Sequence, residues 1–453
     1  MKIHLSSAKE CQTLRGWGTS ACWWSQYCQG NPARDIARLL YSKEGLGLNI
    51  YRYNIGGGTD IDNCRVSNPW RRTDSMLRFD KEKEEYSWDF SRDKNAVDMM
   101  KRCLDYGTVD TLILFCNSPH YSQCSSGQAS GSLLYHHCNI PLSKYEAFVN
   151  YVLDVAQHFI DEGLPVKYIS PINEPQWKWG GTHVWQEGCH YEPEEVRQIF
   201  SLFARTITRR GMDVRLYGPE SGEYLGDTME YLQPLFDDRT VMSLLDVVAV
   251  HSYHCDTRPE VRYEFADRIL PKCPVRVDMS EWCELPNKSH TKDFKGALIT
   301  ARIIGQDLAY AGCESWTSWV AVNQFSIKDD GNDYSDALIS ANDDFSDWYI
   351  AKRYYALAHY TKFIPVGSRV LDLGLRPTEE NNSFNVFGFV TPDNSRVLVV
   401  VNEGAPTAID IEGEYDTMTV IRSCQDDELA ESTELFVSKI NIDQNSIYTI
   451  VIK

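Results

Sequence analysis

Long apolar runs are missing from this 453-residue chain. A bilayer-spanning helix needs about 20 consecutive apolar residues, and no stretch approaches that. The opening Met1-Lys2-Ile3-His4-Leu5-Ser6-Ser7 carries no apolar signal core. A cytoplasmic protein is therefore expected if Met1 is the native start, and a secreted one if a leader has been removed. Positive charge is scarce as well: 45 Lys and Arg face 64 Asp and Glu, a formal net charge of -19. That balance repels phosphates and anionic lipid, and argues against nucleic acid and membrane as partners.

Other absences remove whole classes of chemistry. The 14 cysteines include no Cys-x-x-Cys pair, so they read as reduced thiols in a cytosolic protein, with a pair such as Cys22 and Cys28 open to oxidation in a secreted one. Gly56-Gly57-Gly58 precedes no Lys-Ser/Thr, and no Gly-x-Gly-x-x-Gly occurs, so no nucleotide cofactor is expected. His251-Ser252-Tyr253-His254-Cys255 lacks an accompanying His-Glu-x-x-His, and no metal is expected. His136-His137 reads as surface. Ser118 has no Gly-x-Ser-x-Gly context. A Schiff-base enzyme would need a lysine at a strand end, and only Lys178, just past the fourth strand, comes near. No internal repeat or low-complexity linker divides the chain.

What is present is a periodic alternation. Strands are read at Arg15–Ser20, Leu48–Ile55, Val109–Phe115, Val166–Ile172, Val214–Glu220, Leu245–Val250, Val275–Met279 and Cys313–Val320. Helical spacing recurs between them, over Ile36–Tyr41, Asp89–Leu104, Lys144–Ile160, Pro193–Arg209 and Phe294–Ala311. Eight strands alternating with helices predict an α/β fold, a (β/α)8 TIM barrel over residues 13–361 with its chemistry at the C-terminal strand ends. After residue 361 only short strands separated by turn residues remain. Residues 362–453 are expected to form an antiparallel β-sandwich or half-barrel.

The strand ends carry the chemistry. Val166–Ile172 stops at Asn173-Glu174-Pro175, where proline ends both ladder and helix options. Ser280-Glu281-Trp282 follows the seventh strand. The fourth and seventh strand ends face each other across an eight-stranded barrel, so Glu174 and Glu281 are the candidate catalytic pair. Cleaving a glycosidic bond needs one carboxyl to protonate the leaving oxygen and another to attack or to activate water. Glu174 suits the acid/base role and Glu281 the nucleophile. Asn173 suits a sugar hydroxyl, and Arg52 would hold a nearby carboxylate ionised, or is a structural ion pair. Tyr253 or His251 would hydrogen-bond the nucleophile. With 12 Trp and 25 Tyr in the chain, indoles near strand ends are candidate sugar platforms: Trp23, Trp24, Trp177, Trp179, Trp185, Trp316 and Trp319. For Trp177, Trp179 and Trp185 core packing is an equal alternative.

Gly16-Trp17-Gly18-Thr19-Ser20, Arg52-Tyr53-Asn54-Ile55-Gly56-Gly57, Asn117-Ser118-Pro119, Asn173-Glu174-Pro175, Ser280-Glu281-Trp282 and the strand bearing Trp316 and Trp319 occur in the order found in glycoside hydrolase family 30. In them the chain resembles that family, retaining enzymes of clan A, across the whole barrel. The resemblance implies Glu174 as acid/base, Glu281 as nucleophile, and a β-sandwich side domain that joins residues 1–12 to 362–453. Trp23-Trp24, the Gly/Ser-rich loop 125–132 and Gln186-Glu187-Gly188-Cys189 are similar to the family's endo-β-1,6-galactanases. The implied function is retaining hydrolysis of β-1,6-linked galactan or galacto-oligosaccharides, a neutral substrate contacted by Trp23, Trp24, Arg52, Asn117, Asn173, Trp177, His251, Tyr253, Trp316 and Trp319. The alternatives are another β-linked sugar (β-1,6-glucan, xylan, a glucosyl or fucosyl β-glycoside), or an inactive carbohydrate-binding barrel.

Overall fold

The computed structural model describes residues 1–59, 61–134, 137–182, 184–285 and 288–453. His136 lies outside the described residues, and His137 is exposed. Eight parallel strands close into a barrel in chain order: β1 Gly16–Ser20, β2 Ile50–Asn54, β3 Thr111–Phe115, β4 Val166–Ser170, β5 Arg215–Ser221, β6 Leu245–His251, β7 Arg276–Trp282 and β8 Ser315–Ser318. Helices Gly30–Tyr41, Lys94–Leu104, Tyr145–Asp161, Pro193–Arg210, Phe294–Ala309 and Lys352–Thr361 pack outside it. Two of the helices that escape the periodicity argument show why. Thr228–Asp237 contains Pro234, and Glu260–Arg268 is mostly charged, so neither shows an uninterrupted apolar stripe.

Period-two alternation explains the Gly-Trp-Gly of β1. Trp17 points outward, packs on the Tyr360 ring at 5.9 Å and donates its indole N–H to the Ile364 carbonyl at 3.0 Å. Gly18 points inward, where a Cβ would sit 2.7 Å from that of Ile50. Ile50 instead joins Ile113, Tyr168, Tyr217, Val247 and Ala249 as a small core inside the barrel.

The C-terminal region forms two facing sheets. The larger has seven antiparallel strands in the order Lys9–Thr13, Arg369–Asp372, Phe384–Val390, Arg396–Asn402, Ser446–Ile452, Thr417–Ser423 and Ala430–Leu435. The smaller runs Lys2–His4, Thr407–Glu412, Lys439–Ile442, with its first pair parallel. Ile3, Val400, Ile409, Ile411, Ile440 and Ile450 share the core between them. The opposite face of the large sheet, through Phe387, Phe389, Val397, Val399 and Val401, belongs to the barrel's core. Burial on both faces accounts for the unbroken apolar run Val397-Leu398-Val399-Val400-Val401, which an exposed antiparallel strand would interrupt.

Helix Phe294–Ala309 packs between the two parts, beside Lys352–Thr361, and is buried along nearly its whole length. Arg302 pairs with Glu403 at 2.5 Å, and a Cβ on Gly305 would come within 2.1 Å of the Phe387 ring. Helix propensity alone makes Gly→Ala favourable in mid-helix. Here Gly305→Ala is expected to destabilise by about 1–3 kcal/mol through overpacking, read as a lowered thermal unfolding midpoint. A raised midpoint would show that the helix does not rest on Phe387.

Candidate active site

The C-terminal rim of the barrel gathers an unusual set of side chains: Arg52 from β2, Asn173 and Glu174 just past β4, Glu220 from β5, His251 from β6 and Glu281 from β7. Strand register explains how they meet. Ser20 pairs with Arg52, and His251 pairs with Glu281 across a register shift in β6. Irregularities of this kind at a barrel rim re-aim side chains. Glu174 and Glu220 both adopt left-handed backbone, with φ of 45° and 60°. The Glu174 N–H donates to the Glu220 carbonyl at 2.9 Å, and this contact helps hold two non-glycine residues in a conformation that costs energy.

Arg52 is fully buried and spends its guanidinium on four partners. Nη1 donates to Glu281 Oε2 at 2.9 Å and Ser20 Oγ at 2.9 Å, and Nη2 to Asn173 Oδ1 at 3.0 Å and Glu220 Oε1 at 3.2 Å. Its flat face lies over the Phe115 ring at 3.6 Å. Arg52 is thus a buried ion pair, and one of its partners is a candidate catalytic group. His251, also fully buried, reaches Glu174 Oε1 at 3.1 Å with Nδ1 and Glu220 Oε2 at 3.2 Å with Nε2, and its Nδ1 lies 3.6 Å from Glu281 Oε1. The Tyr253 hydroxyl donates to that same Glu281 oxygen at 3.1 Å.

The electrostatics follow from these contacts. Burial would push the Glu220 carboxyl up, but Arg52, His251 and Ser280 outweigh it and hold it down at about 2. Burial would push His251 down, but the surrounding glutamates carry it up to about 10. Glu281 goes the other way from the sequence expectation. Arg52 and His251 do pull its carboxyl down, but burial is larger, and the group ends above the ordinary carboxylate range. Sequence shows that a charge is near and not how much water has been removed.

Oxygens of Glu174 and Glu281 and a ring nitrogen of His251 lie within 4.8 Å of one another, a spacing that could bridge a cation. An imidazole protonated on both nitrogens has no lone pair to offer one. Above the carboxylates opens a cleft of about 250 Å³, walled by Trp177, Trp179, Trp319, Tyr253, His254 and Arg71 among others. Trp177 lies edge-on to His254 at 5.4 Å, and the Trp179 indole donates to the Glu174 carbonyl at 3.2 Å. A larger cavity, about 600 Å³, sits at the opposite end of β7 beside Arg276 and Tyr310, far from the paired carboxylates.

Several expected platforms are not on this cleft. Trp24 is fully buried and bonds to the Ser20 carbonyl at 3.2 Å. Trp316, in register with Trp17, points away from the barrel interior and donates to Asp307 of helix Phe294–Ala309 at 3.0 Å. Trp23 is also buried, edge-on to Trp319 at 5.4 Å, and supports that ring from behind. Asn117 bonds to Asn54 at 3.4 Å and is 2 % exposed, and it, Arg52, Asn173 and His251 are all buried outside the cleft lining. Trp185 is 75 % exposed and also outside it. Position near a strand end does not tell which way an indole turns, whereas the alternation along β8 sends Trp316 outward. Two residues went unread: Glu220, whose place at the end of β5 was visible in Gly218-Pro219-Glu220, and Glu187. Glu187 is buried and accepts from Gly57 N at 2.9 Å and from the hydroxyls of Thr59 (3.2 Å) and Thr73, so it ties the loop after β2 to the loop after β4. Cys22 and Cys28 are free thiols.

The profile of O-glycosyl hydrolase family 30 matches residues 1–339. An endo-beta-1,6-galactanase of Hypocrea rufa is 23% identical over 381 residues, 79% of this chain and 74% of that protein. The crystal structure of a conserved exported protein from Bacteroides fragilis superposes with a TM-score of 0.84 at 20% identity, covering 100% of both chains. The catalytic domain of a xylanase C from Talaromyces cellulolyticus gives a TM-score of 0.74 at 17% identity, covering 100% of this chain and 99% of that one.

Arg52 sets a stability test. Arg52→Met leaves Glu220 and Glu281 buried without their cation and should cost about 3–5 kcal/mol, seen as a lower denaturation midpoint. Trp185→Ala, on an exposed ring, should change stability by less than about 0.5 kcal/mol. Equal effects would contradict the placement of Arg52 at the centre of the cluster.

Proposed function

The chain belongs to O-glycosyl hydrolase family 30, and from that premise we propose that it is a retaining glycosidase that cleaves β-1,6-linked galactan or galacto-oligosaccharides by double displacement. The observation that carries the mechanism is the spacing of Glu174 and Glu281, whose carboxylates bring oxygens within 4.8 Å of each other. Retaining enzymes keep their two carboxyl groups about 5–5.5 Å apart, while inverting ones leave about 6.5–9.5 Å for a water. The close approach of the two carboxylates supports the retaining reading.

In this reading Glu281 attacks the anomeric carbon as Glu174 gives its proton to the departing glycosidic oxygen. Tyr253, donating at 3.1 Å, and Arg52, at 2.9 Å, orient the attacking carboxylate. Water then enters, Glu174 takes its proton, and the bond between the sugar and Glu281 breaks with its electron pair returning to the carboxylate. Asn173, fixed by Arg52 at 3.0 Å, retains its amide N–H groups for a sugar hydroxyl. Trp177, Trp179 and Trp319 offer apolar faces to sugar rings. The inactive-barrel alternative loses ground because both glutamates and their supporting partners are in place.

The choice of sugar rests on the likeness to the Hypocrea rufa galactanase, which spans 79% of this chain. Stacking discriminates weakly between sugars, and polar groups aimed at single hydroxyls discriminate more. Product analysis tests both parts. β-1,6-Galacto-oligosaccharides should be cleaved, with the first-formed product keeping its anomeric configuration by NMR, and Glu281→Gln should abolish turnover. Because Glu281 must be ionised to attack and its carboxyl is raised by burial, activity should climb with pH through a limb above the ordinary carboxylate range, near 4–5. Cleavage of β-1,6-glucan or xylan with galactosides untouched would overturn the substrate, and an inverted product the mechanism.

A further inference from the structure

The contacts of His251 carry more than orientation. A neutral imidazole has one N–H and one lone pair. His251 meets a carboxylate oxygen at each ring nitrogen: Glu174 Oε1 at 3.1 Å and Glu220 Oε2 at 3.2 Å. Both oxygens of Glu220 are met by donors. Oε1 already accepts from Ser170 at 2.8 Å and Arg52 at 3.2 Å, and Oε2 accepts from Ser280 as well as from His251. Its side chain is wholly buried, so water supplies no alternative partner. Four donors around one carboxylate make it an anion, and that anion anchors a proton on Nε2. With Nε2 so occupied, a second proton on Nδ1 turns the ring into an imidazolium that points at Glu174. The charged and titratable groups facing the ring are Glu174 past β4, Glu220 on β5, Tyr253 past β6 and Glu281 on β7, with Arg52 behind both Glu220 and Glu281.

We propose that Glu220 is a positioning residue that keeps His251 doubly protonated between the two catalytic glutamates, and that this pair serves the second half of the reaction. The inference rests on the double-displacement reading above. In the first half, Glu281 is an anion 3.6 Å from the ring and shares the imidazolium with Glu174. Once Glu281 is esterified to sugar its charge is gone, and the imidazolium has only Glu174 and Glu220 to face. Glu174 is then stabilised as the carboxylate that must take a proton from the incoming water. The water oxygen bonds to the anomeric carbon, the ester bond to Glu281 breaks, and the proton ends on Glu174. Without the Glu220 anion, His251 gives up its second proton and Glu174 loses that support when it has to act as a base.

The test separates the two half-reactions. A 2,4-dinitrophenyl β-galactobioside has a leaving group that needs no protonation, so its release reports the first half and steady state the second. For Glu220→Gln the burst of dinitrophenol should persist, while kcat falls at least tenfold and KM falls with it as glycosyl-enzyme accumulates. Azide, a nucleophile that needs no base, should restore turnover and give a glycosyl azide. His251→Asn should behave the same way and serves where Glu220→Gln folds poorly. A merely structural role predicts burst rate and kcat reduced together with no response to azide, in both variants, and that result overturns the proposal. A wild-type enzyme that shows no burst and releases inverted product would overturn the double-displacement reading itself, and this inference with it.

Discussion

A single buried guanidinium organises the mouth of this barrel. Removing Arg52 and three glutamates from water is expensive, and a desolvated cluster persists only where each charge is met by an opposite one and by hydrogen bonds. Arg52 meets Glu220 and Glu281 directly, and the ring of His251 meets Glu174 and Glu220 from the other side. The neutral groups Ser20, Ser170, Ser280, Asn173 and Tyr253 fill the remaining valences. Because these groups come from six different strands, the barrel must close in register for the cluster to be satisfied. The cluster therefore links the fold to the chemistry: a site assembled in this way is rigid before substrate arrives, and preorganised charge is what stabilises a developing transition state.

The rest of the molecule supports that rim at a distance. The side sheets pack on helix Phe294–Ala309, and this helix also supplies Asp307, fully buried, to Trp316, Ser252 and Arg262. Ser252 is the neighbour of His251, so the position of β6's last residue depends on a helix held from outside by the β-domain. Above the rim, Glu187 joins the loops after β2 and β4, while bridges between Ser130 and Gly188 and between Ser132 and Gly180 add the loop after β3 to the same wall. Trp177 and Trp179 stand on this wall, whereas Trp319 follows β8.

Much of this was legible in the sequence, for identifiable reasons. Strands buried on both sides read as apolar runs, so all eight barrel strands appear, within a few residues. Asn173-Glu174-Pro175 and Ser280-Glu281-Trp282 announce strand ends because the apolar run breaks on a charge. Glu220 sits in the same kind of position but reads as one more polar residue after a proline. Its meaning lies in Arg52, Ser170, His251 and Ser280, which are distant in sequence. The indoles divide by the same logic. Trp177 and Trp179 lie in a loop over the rim and reach the cleft, whereas Trp24 and Trp316 are turned into the core, and only the register and the neighbouring helices decide that. The raised carboxyl of Glu281 could not be foreseen either, since proximity to Arg52 predicts the opposite sign, and burial, aided by Glu174 and Glu220, reverses it.

The central claim is that Glu281 forms a bond to the sugar. A 2-deoxy-2-fluoro-β-galactosyl inhibitor with a good leaving group slows the second half-reaction and should leave a fluorogalactosyl group on the enzyme, detected by mass spectrometry on a single peptide with Glu281 as the modified residue. An adduct on another residue would contradict the account, as would turnover without any adduct and with inverted product.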